Sequence, residues 1–268
     1  MQSATGSRPW RPTPAIRLST LVHVAGAVAL AAQPESWPLV LGTLLGNHLL
    51  LSGAVLFPRS GLLGRNLVCL PGSAARRGEI ALTFDDGPDP ASTPGVLDLL
   101  DRHGAKASFF CIGKKAAAYP ELVREIARRG HSVENHSYTH SHAFAFYGVS
   151  RLKREVEAGQ AAIANATGRP PLFFRAPLGF RNPLLDPVLA RLGLNYVSWT
   201  RRGFDAVQSD RDKVLKRLAT GLAGGEILLL HDSVSSRTDG RGPMVLVVLP
   251  ALLAAIAAKG LRSVALPS

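Results

Sequence analysis

Short apolar runs alternate with amphipathic stretches from Glu79 onward, and this alternation limits the fold more than any other feature of the chain. Ile80–Phe84, Ala107–Ile112, Ser132–Asn135, Leu172–Ala176, Tyr196–Trp199, Ile227–His231 and Leu261–Leu266 have the length and content of buried strands. Between them, Thr93–His103, Lys114–Arg129, Val149–Thr167, Asn182–Leu192, Asp210–Leu222 and Met244–Lys259 read as helices. Gly104, Gly130, Gly168, Gly193 and Gly260 stand where those helices should stop. Strand and helix in strict turn predict an α/β fold, a parallel sheet with crossover helices. About seven units in one run favour a barrel or a barrel-like open sheet, whose functional groups gather at the carboxyl ends of the strands.

The residues before Glu79 have a different texture. Arg8, Arg11 and Arg17 precede an apolar run, Leu18–Ala32, and a second run extends from Pro38 to Phe57. Twenty residues make a helix of about 30 Å, the thickness of the bilayer hydrocarbon. The expectation is a transmembrane helical hairpin. Alternatives are a signal peptide cleaved after Ala29-Leu30-Ala31 plus an anchor, or two core helices. Gly42 and Gly46 have the small-xxx-small spacing that lets membrane helices pack closely. The chain thus divides into a basic tail (1–17), two apolar segments (18–57), a basic juxtamembrane linker (58–78) and a β/α domain (79–268).

Net charge is +12, and residues 1–78 hold seven Arg against one acid. No nucleic-acid motif accompanies this charge, so no nucleic-acid partner is expected. Membrane lipids with anionic headgroups suit a basic, apolar N-terminus better. Cys69 and Cys111 form neither a disulfide framework nor a zinc motif.

Polar clusters sit where strands end. Thr83-Phe84-Asp85-Asp86-Gly87-Pro88-Asp89 follows the first strand, and adjacent carboxylates are costly to desolvate unless a cation neutralises them. A bland alternative is a turn whose Asp caps the next helix. His136-Ser137-Tyr138-Thr139-His140 follows the third strand, and two His four apart share a face if the segment turns helically. One carboxylate and two His leave coordination positions open, as in catalytic Zn²⁺ or non-haem Fe(II) sites. Leu228-Leu229-Leu230-His231-Asp232 ends the sixth strand.

The motifs TFDDGPD, HSYTH, RAPLG and LLLHD, in that order, resemble those of the NodB-type polysaccharide deacetylases, carbohydrate esterase family 4. The resemblance covers about Glu79–Leu266. It implies a distorted (β/α)7-type barrel that removes acetyl groups from sugars with a divalent metal, Zn²⁺ first, and Co²⁺, Mn²⁺ or Ni²⁺ as alternatives. It implies Asp85 as general base, Asp86, His136 and His140 as metal ligands, Arg175 orienting Asp85, and His231 as general acid. Leu229 would line the pocket for the acetyl methyl, and the Leu178 backbone N–H would meet the oxyanion. Two positions depart from the family. Leu178 stands where Tyr is usual, and Phe204-Asp205-Ala206 stands where the motif ends Asp-Trp. Asp205 is still expected to orient His231, while the ring platform for a sugar is gone.

The expected substrate is an acylated amino sugar, polymeric or lipid-linked. The competing reading is a non-catalytic glycan- or lipid-binding membrane module on the same barrel. Arg8, Arg11 and Arg17 flank one end of the hairpin and Arg59, Arg65, Arg76 and Arg77 the other, with only Glu35 in the turn. The positive-inside rule then predicts a two-pass protein of a bacterial-type cytoplasmic membrane, its β/α domain facing the cytoplasm. Failure of the second run to span would export that domain instead.

Overall fold

The computed structural model describes residues 9–233, 237–238 and 242–267. Among these, a curled, mostly parallel sheet carries the expected alternation. Its strands are β1 (Glu79–Asp85), β2 (Ala107–Cys111), β3 (Ser132–Asn135), β4 (Phe173–Phe174), β5 (Asn195–Tyr196), β6 (Arg201–Arg202) and β7 (Ile227–His231). They lie in the order β5-β4-β3-β2-β1-β7-β6. A two-stranded antiparallel ribbon, β8 (Arg237–Thr238) with β9 (Gly242–Pro243), follows β7, and β10 (Arg262–Ser263) pairs with the start of β1. The central β1 is buried along its whole length and is flanked by β2 and β7, so its apolar residues see protein on both faces.

Ten α-helices are described: α1 (Pro14–Ala32), α2 (Trp37–Val55), α3 (Gly72–Arg76), α4 (Thr93–Arg102), α5 (Gly113–Ala118), α6 (Pro120–Arg128), α7 (Val149–Thr167), α8 (Leu185–Arg191), α9 (Arg211–Ala219) and α10 (Met244–Ala258). Helices α4, α6, α9 and α10 pack on the outside of β1, β2 and β7 through Val96, Leu100, Val123, Ile126, Val214, Leu218, Val248 and Leu252. Met244–Ala258 is therefore a covering helix, as its Pro250 and length predicted. A second core lies on the other face of the sheet, where Ala81, Phe110, Trp199, Ile227 and Leu229 meet Leu70 and Ala74.

Four elements differ from the sequence expectation, the first being the strand predicted over Leu261–Leu266, which is only Arg262–Ser263. The helix predicted over Lys114–Arg129 is two helices, because Pro120 cannot continue α5 and instead starts α6. The strand predicted over Leu172–Ala176 is only Phe173–Phe174, since the Glu134 carboxylate accepts from the N–H groups of Leu172 and Phe173 at 2.9 and 2.8 Å. The strand predicted over Tyr196–Trp199 becomes two, as the chain leaves β4 after Tyr196 and joins β7 at Arg201. In the gap, the Arg175 guanidinium donates to the carbonyls of Val197 and Ser198, replacing a neighbouring strand.

Helices α1 and α2 form an antiparallel apolar hairpin, long enough to cross a membrane by length and composition. Asn47 Nδ2 donates to Ser19 Oγ (3.0 Å), and His23 meets His48. A Cβ at Gly26 would lie 2.9 Å from Val40, so this glycine lets the helices approach. Gly42 and Gly46 do not serve this contact, since nothing lies within 4 Å of a Cβ built at either. At the base, Ile16, Leu51, Ala54 and Val55 pack on Leu63. The chain after α2 then grips the β4–α8 loop, where Arg181 donates to the carbonyls of Ser60, Gly64 and Arg65, and Trp10, ahead of α1, donates to Asp186 of α8.

Candidate active site

The expected site residues lie at the carboxyl ends of the strands, and the fold brings them together. Asp85 ends β1 beside His231, its register partner at the end of β7. The adjacent Asp86 turns off the strand with φ +73°. His136 follows β3 directly and Arg175 follows β4.

His136 and His140 converge, but not through a helical turn as the sequence spacing had suggested. Residues 136–140 form a loop with positive φ at Ser137 and His140. Its shape is held by polar contacts: Asn135 Oδ1 accepts from Ser137 N–H, Ser137 Oγ accepts from His140 N–H, and Glu155 accepts from the N–H groups of Tyr138 and Thr139.

His136 Nδ1 lies 2.8 Å from the Arg175 carbonyl, which can only accept, so Nδ1 carries the proton and Nε2 presents a lone pair. That Nε2 is 3.4 Å from Asp86 Oδ1, and His140 Nε2 is 3.1 Å from the same oxygen. Asp86 Oδ1 is buried with no hydrogen-bond partner. The three donor atoms lie within 4.8 Å of one another. Lone pairs facing each other in a buried place repel unless a cation sits between them, so these residues fit a divalent metal.

Asp85 is buried, and the fully buried Arg175 donates to its Oδ1 at 2.6 Å. Arg175 also donates to Thr83 Oγ, which fixes it against β1, and stacks over the Phe110 ring with its carbon 4.1 Å from the centroid. Asp205 accepts from His231 twice, at the backbone N–H (2.8 Å) and at Nδ1 (2.9 Å). His231 Nδ1–H is thereby fixed, and Nε2 is left to face the site. Burial opposes the charge on His231, but Asp205 outweighs it and raises the imidazole above its ordinary value.

Leu229 is buried beneath the site among Phe110 and Trp199. Leu178 is exposed at the rim in a strained turn with φ +59°. Two nearby residues escaped the sequence reading. Lys115 Nζ donates to the Asp86 carbonyl, and Arg202 lies between the rings of Trp199 and Phe204. Neither has a spacing signature, because the folding of separate loops creates both contacts. Cys69 and Cys111 are free.

Carboxylates, imidazoles and a buried arginine gathered at the strand ends of a curled parallel sheet define the general class, an α/β protein with a polar site at the carboxyl edge of its sheet. Residues 72–197 match the polysaccharide deacetylase family. A peptidoglycan-N-acetylglucosamine deacetylase of Bacillus cereus is 33% identical over 162 residues, covering 60% of this chain and 75% of the relative. A chitooligosaccharide deacetylase of Azorhizobium caulinodans is 31% identical over 207 residues, 73% of this chain and 98% of the relative. The family 4 carbohydrate esterase from Streptomyces lividans, solved with acetate, superposes with a TM-score of 0.63 at 35% identity, covering 69% of this chain and 91% of that one. The chain belongs to the polysaccharide deacetylase family, and is with it a hydrolase of carbon–nitrogen bonds.

Proposed function

We propose that the chain removes N-acyl groups, N-acetyl above all, from an amino sugar, with Asp86, His136 and His140 holding a divalent metal. The observation that carries this reading is the bare, buried Asp86 oxygen facing two imidazole nitrogens, beside an Asp85–Arg175 pair and a His231–Asp205 pair. A divalent cation there supplies Lewis-acid polarisation of the acyl carbonyl and acidifies water, with Zn²⁺ favoured by the ligand set.

The side chains divide the remaining work. Arg175 donates to Asp85 and aims it, so Asp85 accepts the proton of the attacking water. The Leu178 backbone N–H faces the charge that develops on the carbonyl oxygen. Leu229 closes the floor against the acyl methyl, and a small floor excludes longer acyl chains. His231, oriented by Asp205, protonates the departing amine.

The apolar hairpin anchors the enzyme in a cytoplasmic membrane, and the basic flanks at Arg11, Arg17, Arg59 and Arg65 set the enzyme domain toward the cytoplasm. A lipid-linked amino sugar is then the substrate within reach. Acetate and free amine should be released in equal amounts from N-acetylated amino-sugar oligomers by the purified full chain. Asp85→Asn should lower that rate by about two to three decades, the scale of a lost general base, without emptying the metal site. An Asp85→Asn enzyme of wild-type rate would sink the assignment.

A further inference from the structure

Among the described residues, most charged groups of the site have an identified partner, Lys115 included, which donates to the Asp86 carbonyl. Asp85 is matched by Arg175, Asp205 by His231, and Asp86 faces the two metal-binding imidazoles. Arg202 is left over. Its guanidinium carbon lies over two rings, 5.3 Å from the Trp199 centroid and 4.9 Å from that of Phe204. Cation–ring contact of this kind holds the guanidinium in place without using its N–H donors. Its Nε is buried and has no hydrogen-bond partner among the described residues. Burying a donor on a charged group without a partner is costly, and such a group is normally satisfied by something that binds there.

The place of Arg202 ties it to the reaction. It sits on β6 in register with Leu229, two residues before His231 on the neighbouring strand. Its strand neighbour Arg201 is spent elsewhere, on Glu226 and the carbonyls of Thr220 and Gly221, so the two arginines of β6 have separate roles. Burial lowers the Arg202 guanidinium from its ordinary value, while Asp85, Asp205 and Asp86 act on it electrostatically without hydrogen-bonding it. Phe204 also carries Arg217 on its ring, at 5.1 Å, so the exposed Phe204 has a cation on each contact.

We infer that Arg202 is a substrate-specificity residue that receives a phosphate group attached to the acylated amino sugar. A planar fork of donors at the side of the reaction centre suits the oxygens of a phosphate bidentately, which a neutral sugar hydroxyl cannot match. The membrane side favours a phosphate that comes with a lipid. Arg59, four residues beyond α2, donates to the Thr200 carbonyl, two residues before Arg202, and Pro58 lies against Gly179 of the Leu178 turn. The base of the apolar hairpin thus adjoins the same rim, and Phe204 and Leu178 expose apolar surface there. The inference rests on the deacetylase reading for the identity of the sugar, but not for the phosphate contact itself.

The test uses the metal-loaded full chain and three compounds: methyl N-acetylglucosaminide, N-acetylglucosamine 1-phosphate, and its prenyl phosphodiester. Equilibrium binding is followed through tryptophan fluorescence, to which Trp199 contributes, and acetate release is measured in parallel. The wild-type chain should bind both phosphate compounds at least tenfold more tightly than the neutral glycoside. Arg202→Gln should bring that ratio close to one, and Arg202→Lys, which keeps the charge and loses the fork, should restore part of it. Tighter binding of the prenyl diester than of the free 1-phosphate assigns the phosphate to a lipid-linked sugar, and equal binding assigns it to a soluble sugar phosphate. A wild-type chain with no preference for phosphate, or an Arg202→Gln chain that keeps the full ratio, overturns the inference. Absence of acetate release from all three compounds would remove the deacetylase reading while the binding ratio still decides the role of Arg202.

Discussion

Arg175 has no exposed surface, yet every direction of its guanidinium is occupied: by Asp85, by Thr83 Oγ, and by the carbonyls of Val197 and Ser198. A buried cation satisfied in this way joins three strands and fixes the Asp85 carboxyl beside the site. Asp85, Asp86, His136, His140 and His231 were legible in the sequence because each lies in a polar cluster at the end of an apolar run. Trp199 and Arg202 were not, since stacking between a cation and a ring leaves no mark in spacing. The His231–Asp205 pair makes a prediction about pH. His231 acts as an acid only while protonated, so activity falls as pH rises through its raised pKa. Asp205→Asn removes the carboxylate that raises it, so the alkaline limb of the kcat/KM profile should move to lower pH. A limb that stays in place would transfer the acid role to another group, such as His142.

The long elements were legible, and the short ones were not. β1 and β7 are apolar runs ending in polar residues, and the structure keeps them, with β2 and β3, nearly as the sequence drew them. β4 and β5 are two residues each because side chains, Glu134 and Arg175, take hydrogen bonds that a strand would otherwise make, and β6 at Arg201–Arg202 lies beyond the expected Tyr196–Trp199. No periodicity reports such a substitution. The packing of α7 on the His136–His140 loop was equally hidden. Gly159 on α7 lies so close to that loop that a Cβ there would be 2.5 Å from Asn135 Oδ1 and 3.1 Å from the Ser137 carbonyl. Asn135 also donates to the Val156 carbonyl, so helix and loop are one unit. Gly159→Ala should therefore destabilise the fold by ~1–3 kcal/mol, the usual cost of overpacking, and loosen metal binding through the displaced loop. Thermal unfolding with and without added Zn²⁺ reads both effects, and an unchanged midpoint in both conditions would contradict this packing argument.

At the scale of the whole molecule, an enzyme domain is joined to an apolar hairpin by a linker that grips the rim of the site rather than swinging free. Arg181, Trp10 and Arg59 each make one side of that grip. The orientation proposed for it is testable with reporters fused after Ser268 in bacterial cells: a fluorescent protein should glow, and an alkaline phosphatase fusion should be inactive. The reverse pattern would place the domain outside. The central claim is metal-dependent deacetylation, and its most direct measurement is acetate release by the purified full chain before chelation, after removal of bound metal, and after stoichiometric Zn²⁺ is returned. The account predicts that activity disappears with the metal and returns with it, and that His136→Ala and His140→Ala chains neither retain the ion nor recover. Undiminished acetate release from metal-free protein would contradict the account at its centre.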